Sequence, residues 1–558
     1  MVLVVISFLG FAGMSPANVA RGQSVLYVKA DASGAEDGMS WAHAFVDLQD
    51  ALSVAEAGAE IWVTTGTYTP GAPGDRTATF QLKSGVGIYG GFAGAEISRS
   101  ERDPAANPTV LSGDLTGNDL EVLEPRELAT EPTRSDNSYH VVTASGVDET
   151  AVLDGFIITA GYADGPGNSQ DANGGGMISV WREAAQRRTG NVEAAPANPT
   201  LVSCTFLSNF AAVRGGGMYN EAGLPTLVDC VFSQNHVNDS SFDDGGGGLY
   251  NERGNPTIRR CRFVGNTAAG NGAGLYNNSA GGTITETAFH DNVVLGNQST
   301  HTGGGIQNRS SDTTITMSTF TGNSAPYGGG IWNWGSPAPT ILNCVFNGNG
   351  AVRPGDGAGG GIQNWGGGTS ATVVNCTFVE NTAVDVGAGL GANSGSTAVV
   401  KNCIFWGNRA RNNANEQIGG VGGDPTVVTY SCVEGGKPGE GNIDTDPHFA
   451  DAQNGGYRLK SQAGRWDALS ESWTQDGVTS PCIDAGDPLS PIGLEPFPNG
   501  GFINMGAYGG TADASKSYFG KPVPETIVAG DINGDGEVDQ TDLDIMALHW
   551  TDAEPLQP

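Results

Sequence analysis

Residues 227–251 read LVDCVFSQNHVNDSSFDDGGGGLYN. Two signatures lie in that stretch: Phe-x-x-Asn from Phe232 to Asn235, and a glycine run followed by an aliphatic residue, one further residue and Asn251. Phe-x-x-Asn occurs eight times, opening at Phe206, Phe232, Phe263, Phe289, Phe320, Phe346, Phe378 and Phe405. The glycine signature ends at Asn220, Asn251, Asn277, Asn308, Asn333 and Asn364, and in degraded form at Asn393. From each turn Asn to the next Phe the chain runs 12 to 14 residues, whereas from each Phe to the next turn Asn it runs 13 to 19. A stacked repeat holds its walls constant and lets its loops vary. One half of each repeat is therefore a wall, and the other carries a loop that is long on every second rung.

Within the wall the pattern is aliphatic-x-x-Cys-x-Phe, as in LVSCTF at 201, LVDCVF at 227 and ILNCVF at 341. Cys and Phe share one strand face, but an aliphatic residue three before the Cys breaks the period of two. A bend between two short strands accounts for this, with the repeated Asn side chains satisfying backbone groups inside the bends. The fold class expected is all-β, a right-handed single-stranded parallel β-helix, with a small calcium-binding loop-helix at the C-terminus. The composition agrees: 87 Gly in 558 residues, 16% charged residues, and little of helical period.

Cys204, Cys230, Cys261, Cys344, Cys376 and Cys403 occupy one wall position, which Thr287 and Ser318 fill on other rungs. Equivalent Cβ atoms on neighbouring strands lie farther apart than a disulfide permits. A buried thiol ladder is expected, with Cys432 and Cys482 left open.

The domain reading runs along the chain. Residues 1–20 form an apolar run followed by small residues, read as a secretory signal although no Lys or Arg precedes the run. Residues 25–144 are read as an N-terminal cap with the first irregular rungs. A helix through Leu48, Leu52 and Ala55 ends at Gly58 and covers strand edges that would otherwise invite aggregation. Residues 145–435 are the regular rungs, 436–518 a closing module, 519–528 a linker and 529–558 a calcium loop.

That loop, in GDINGDGEVDQTDLDIMALHW from Gly530, places Asp531, Asn533, Asp535, Glu537, Asp539 and Asp542 at positions 1, 3, 5, 7, 9 and 12, with Gly536 at the sharp turn. Such an oxygen set suits Ca²⁺. Position 7 contributes its backbone carbonyl, so the Glu537 side chain is not itself implied.

The repeats resemble those of polymorphic outer-membrane proteins, and the broader pattern is similar to the pectin-lyase-like right-handed β-helix family. The first resemblance implies surface display and adhesion. The chain shows no membrane β-barrel of the kind that ends such proteins. SPCIDAGDP at 480 with INMGAYGG at 503 resembles the module that follows β-helices in secreted bacterial proteins, which implies a capping role. The calcium loop resembles one half of a type I dockerin, which implies docking to a cohesin-like or other surface partner; a complete dockerin has two such loops.

A net charge of −33 argues against nucleic acid and anionic membranes as partners, and against a polyanionic substrate that calcium does not bridge. The residue before each turn Asn alternates outward: Tyr219, Tyr250, Tyr276, Gln307, Trp332, Gln363 and Ala392 in rung order, while Trp334 and Trp365 follow the Asn. This stripe is either a platform for sugar rings or an aromatic ladder between rungs. The residues just before the Cys position, among them Asp229, Arg260 and Glu286, suit rung-to-rung ion pairs. Catalytic candidates are confined to the long loops: Asp239, Asp243 and Asp244 in the first, His301 in the second, and Arg353 with Asp356 in the third. The expectation is a secreted or cell-surface bacterial protein that binds extracellular polysaccharide, with a polysaccharide lyase or glycoside hydrolase as the alternative.

Overall fold

The computed structural model describes residues 24–167, 169–181, 196–335, 337–411, 417–420 and 426–518. The expected signal, linker and calcium loop, with Asp531, Asn533, Asp535, Glu537, Asp539 and Asp542, lie outside these residues.

The chain is an all-β right-handed parallel β-helix. Among the described residues its walls are four parallel sheets of 13, 12, 9 and 11 strands. One turn of the coil shows the plan. Thr226–Val228 lies in the first wall, Val231–Ser233 in the second, His236–Val237 in the third and Leu249–Glu252 in the fourth. Every strand pairs with its counterpart one rung away, so that Phe232 sits between Phe206 and Phe263, and Asn251 between Asn220 and Asn277.

Left-handed backbone makes the corners. Asp229 (φ 56°) turns the first wall into the second, Gln234 (φ 55°) the second into the third, and Arg253 (φ 54°) follows the fourth. At the second corner several rungs use Gly265, Gly322, Gly348 and Gly407, all with positive φ. The glycine run before the fourth wall has a further reason. A Cβ on Gly216 would come within 2.6 Å of the carbonyl oxygens of Gly247 and His236, so side chains are excluded where the chain passes the next rung.

Inside, the eight Phe rings from Phe206 to Phe405 stack with centroids 4.4 to 4.9 Å apart and planes within 5°. Two Asn ladders run beside them. At the corner between second and third walls, Asn292 Nδ2 donates to Phe263 O and to Asn323 Oδ1, both at 2.9 Å, while its Oδ1 accepts from Asn266 N at 3.2 Å. On the fourth wall Asn251 Nδ2 donates to Asn277 Oδ1 at 3.1 Å, and Asn277 Nδ2 to Asn308 Oδ1 at 2.9 Å. The expected thiol ladder is present: all eight cysteines are free and buried, and Cys204 Sγ donates to Val202 O and Leu153 O at 3.3 and 3.4 Å. Of the expected ion pairs between rungs, Asp229 meets Arg260 at 2.6 Å, whereas Glu286 pairs with Arg259, one residue before the expected column, at 3.4 Å.

At the N-terminal end a helix spans Leu48–Val54, capped by Asp47 and burying Leu48, Ala51 and Leu52. It stops one residue before Ala55, short of the end expected at Gly58. The module after the last rung does more than close the end, because it runs back along the outside of the second wall. Asn343 Nδ2 donates to Ala507 O and Gly509 O at 3.0 and 2.8 Å, Asn375 Nδ2 donates to Asn504 O at 2.9 Å, and Lys401 pairs with Asp487 at 2.7 Å. Val345, Thr377 and Ile404, outward on three successive rungs, are buried beneath it.

Two measurements follow from this packing. Asn292→Ala strands the buried Phe263 carbonyl and Asn266 amide, at a cost of about 2–4 kcal/mol, and the thermal midpoint should fall accordingly. His236 is buried with Nδ1 2.8 Å from Thr267 Oγ1, and burial pulls its pKa down to about 4. The unfolded chain takes up that proton near 6.5, so stability should fall as pH drops from 6.5 towards 4, by at most about 3 kcal/mol. Glu495, raised to about 7 by burial, acts in the opposite sense, losing stability as pH rises from about 4.5 through 7. The difference between wild type and His236→Phe across that acid range isolates the histidine, and Phe suits the site because Phe210 holds the same column.

Candidate functional site

Alternation along the fourth wall sends Leu249 and Asn251 inward and Tyr250 and Glu252 outward. Repeated over rungs, this makes two outward columns. One holds Tyr219, Tyr250, Tyr276, Gln307, Trp332 and Gln363; the other holds Glu221, Glu252, Asn278, Arg309, Trp334 and Trp365.

The first column is not the open platform that its outward direction predicts. Tyr250 and Tyr276 are fully buried, and Tyr219 and Trp332 nearly so. The long loop of residues 238–247 folds back over Tyr250 and Tyr276, while Trp332 packs with Tyr327 and Ala358. Tyr250 OH donates to Asp243 O at 2.7 Å and Tyr276 OH to Phe242 O at 3.3 Å. Tyr219, Tyr250 and Tyr276 form a ladder, with centroids 5.8 and 4.8 Å apart; Tyr250 and Tyr276 support the loop, and Tyr219 OH donates to Glu252 at 2.9 Å. Burial raises the pKa of all three hydroxyls.

The second column is half-buried and borders solvent. Trp334 meets Phe242 edge-on at 5.1 Å, and the Arg309 guanidinium lies 5.1 Å from the Phe242 ring and 5.3 Å from the Trp334 ring. Trp365 stacks on Trp332 at 5.8 Å, with Tyr327 6.3 Å away. Toward the N-terminal rungs the column turns acidic. Arg253 bridges Glu221 and Glu252, and Arg214 reaches Glu252 at 3.1 Å.

Of the catalytic candidates, Asp243 pairs with Arg309, Asp244 with Arg214 at 2.6 Å, and Arg353 with Asp356 at 2.6 Å and with the Tyr327 hydroxyl. They form two clusters on either side of Trp334, and neither offers a free acid beside a free base. Burial raises the Asp244 pKa against the pull of Arg214. His301 is buried, its Nε2 3.1 Å from Ser240 O and its pKa lowered by burial, so it props the loop from beneath. Among the described residues no three His, Cys, Asp or Glu side chains are placed to hold a metal ion. No helix there is long and apolar enough to cross a membrane.

Glu221, Glu252, Arg309 and Phe242 escaped the sequence reading. Three of them follow a turn Asn, the register that already singled out Trp334 and Trp365, so the signal was present. The place of Phe242 depends on the direction of its loop, which spacing does not carry.

A family described as right handed beta helix region matches residues 189–378 and 249–428, and one described as disaggregatase related matches residues 421–486. No curated protein matches the sequence. Among solved structures, the chain is similar to pectate lyase Pel9A, with 12% identity, TM-score 0.41, and coverage of 87% of this chain and 95% of the other. It is also similar to the PL6 family alginate lyase AlyGC, with 11% identity, TM-score 0.38, and coverage of 78% and 56%.

The contacts of Arg309 make the loop testable. Arg309→Ala removes the partner of Asp243 and the cation between two rings. Amide exchange of residues 240–244 should quicken while the Phe-x-x-Asn strands keep their protection. Unchanged exchange in the loop would show that the tyrosines alone hold it.

Proposed function

We propose that the protein is an extracellular binding rod that holds an extended, neutral polysaccharide along the outer face of its fourth wall. The observation that carries this reading is the pair Trp334 and Trp365, half-buried at the solvent border on adjacent rungs in one column, with the Arg309–Asp243 pair and Asn278 in the same stretch of wall. Indole faces give apolar contact to pyranose rings, and the flanking polar groups suit their hydroxyls. Rungs repeat about every 4.8 Å, comparable with one sugar unit of an extended chain. The cations on this face are already matched by carboxylates, and a net charge of −33 repels polyanions. On the same reading the loop at Asp531 to Asp542 takes up Ca²⁺ and tethers the rod to a cohesin-like or other surface partner.

Pull-down on insoluble neutral glycans, run beside assays of unsaturated product and reducing ends with and without calcium, tests the proposal. Retention without product is expected. Trp334→Ala and Trp365→Ala should each weaken retention roughly threefold to tenfold, and His236→Phe should leave it unchanged. Release of product would favour a polysaccharide-degrading enzyme instead. Calorimetry should show one Ca²⁺ lost on Asp531→Ala with Asp535→Ala.

A further inference from the structure

Cys432 is not a rung of the thiol ladder. Its strand, Cys432–Val433, pairs with Ile404–Phe405, so Cys432 continues the column of Ile404, whose side chain faces the closing module. Ser431 takes the ladder position instead, its Oγ accepting from Cys403 N at 3.0 Å. Cys482 arrives from the other side. It belongs to the closing module, where Ser480 Oγ accepts from its amide at 3.1 Å and Met505 N donates to its carbonyl at 2.9 Å. Both cysteines are fully buried in one apolar cluster with Ile404, Leu459, Ile483 and Met505, where Cys432 Sγ donates to Thr445 O at 3.1 Å.

We propose that Cys432 and Cys482 close to a disulfide when the chain folds in an oxidising medium, clamping the closing module to the last rung while the six ladder thiols stay reduced. Chain geometry separates the pair from the ladder. Ladder cysteines project side by side from parallel strands in register, holding their Cβ atoms about 4.8 Å apart, beyond the 3.5–4.5 Å of a bridge. Cys432 and Cys482 instead enter one buried cluster from two independent segments, with no shared strand register to hold their Cβ atoms apart.

The oxidant is a disulfide, either a small molecule such as oxidised glutathione or a dithiol-disulfide oxidoreductase. One cysteine thiolate attacks it, forming a mixed disulfide and releasing one thiolate. The second cysteine then displaces the other sulfur, forming the Cys432–Cys482 bond. The pair loses two electrons and two protons, and the oxidant is reduced to two thiols.

The clamp has a consequence for shape. Between module and second wall lie two adjoining clefts of about 650 and 460 Å³, both bordered by Thr319, Val345 and Tyr508. Their width depends on how firmly the module is held, and the disulfide secures it at the end of the rod.

The test is a thiol count on the full chain. Protein folded in a glutathione redox buffer is denatured without reductant, alkylated and mapped by mass spectrometry. Of the eight cysteines, six should be alkylated, with a single linked peptide joining Cys432 and Cys482. Cys482→Ser should show all seven of its thiols alkylated. Reductant should lower the thermal midpoint of the wild type by several degrees and leave that of Cys432→Ser unchanged. Eight alkylated thiols in folded wild type, or a linkage within the ladder, would overturn the proposal. So would a midpoint indifferent to reductant.

Discussion

The hydrogen bond from each corner Asn to the backbone of the preceding rung is the constraint on which the rest depends. A coil that turns several times per rung breaks its own sheet at every turn, and each break leaves buried amides and carbonyls unpaired. Asn235, Asn266, Asn292, Asn323, Asn349 and Asn381 meet this need in one way. Each reaches back to a Phe carbonyl through Nδ2 at 2.8 to 2.9 Å and accepts the amide of the preceding Asn through Oδ1. The side chain takes the place of the strand partner that the corner removes. Because every Asn also bonds to the next, the ladder holds the rungs in register, and Phe stacking at 4.4 to 4.9 Å follows from that register.

The corners carry a cost of their own. Left-handed backbone at a residue other than glycine costs about 1–2 kcal/mol, and rungs here spend it repeatedly, at Asp229, Gln234 and Arg253 in one turn of the coil. The expense is tolerable because Phe and aliphatic burial recurs on every rung. The outward side chains at these corners then find uses. Asp229 and Arg260 pair across rungs, whereas Asn343, Asn375 and Asn402 in the same column bind the closing module.

Much of this was legible because burial imposes periodicity. Phe-x-x-Asn, the Cys position and the glycine runs face the interior or the next rung, and a residue that must repeat in space repeats in sequence. The corner between first and second walls was readable from one broken alternation, three residues from Leu227 to Cys230. What faces outward obeys no such rule. Tyr250 alternates outward as its position requires, yet the loop ending at Asp244 lies on top of it, and loop length says nothing of loop direction. The wrap of the closing module was hidden for the same reason. Only the change from Arg262 to Val345, Thr377 and Ile404 in one column marks where a cover begins, and that becomes a signal once the cover is seen.

The long loops on alternate rungs now take on a physical role. A solenoid wall is flat, and a flat wall holds a ligand poorly because it offers contact from one side. The loop through Phe242 and Asp243 raises a rim on that wall, propped by His301, Tyr250 and Tyr276 and pinned by Arg309, while a shorter connection leaves Trp334 at its foot. The loop holding Arg353 and Asp356 raises a second rim against Tyr327. Loops of equal length on all rungs would bury the whole wall, and loops uniformly short would leave it bare. Alternation provides both rims and the half-buried tryptophans between them, so the unequal spacing first seen in the sequence is what gives a flat wall its relief.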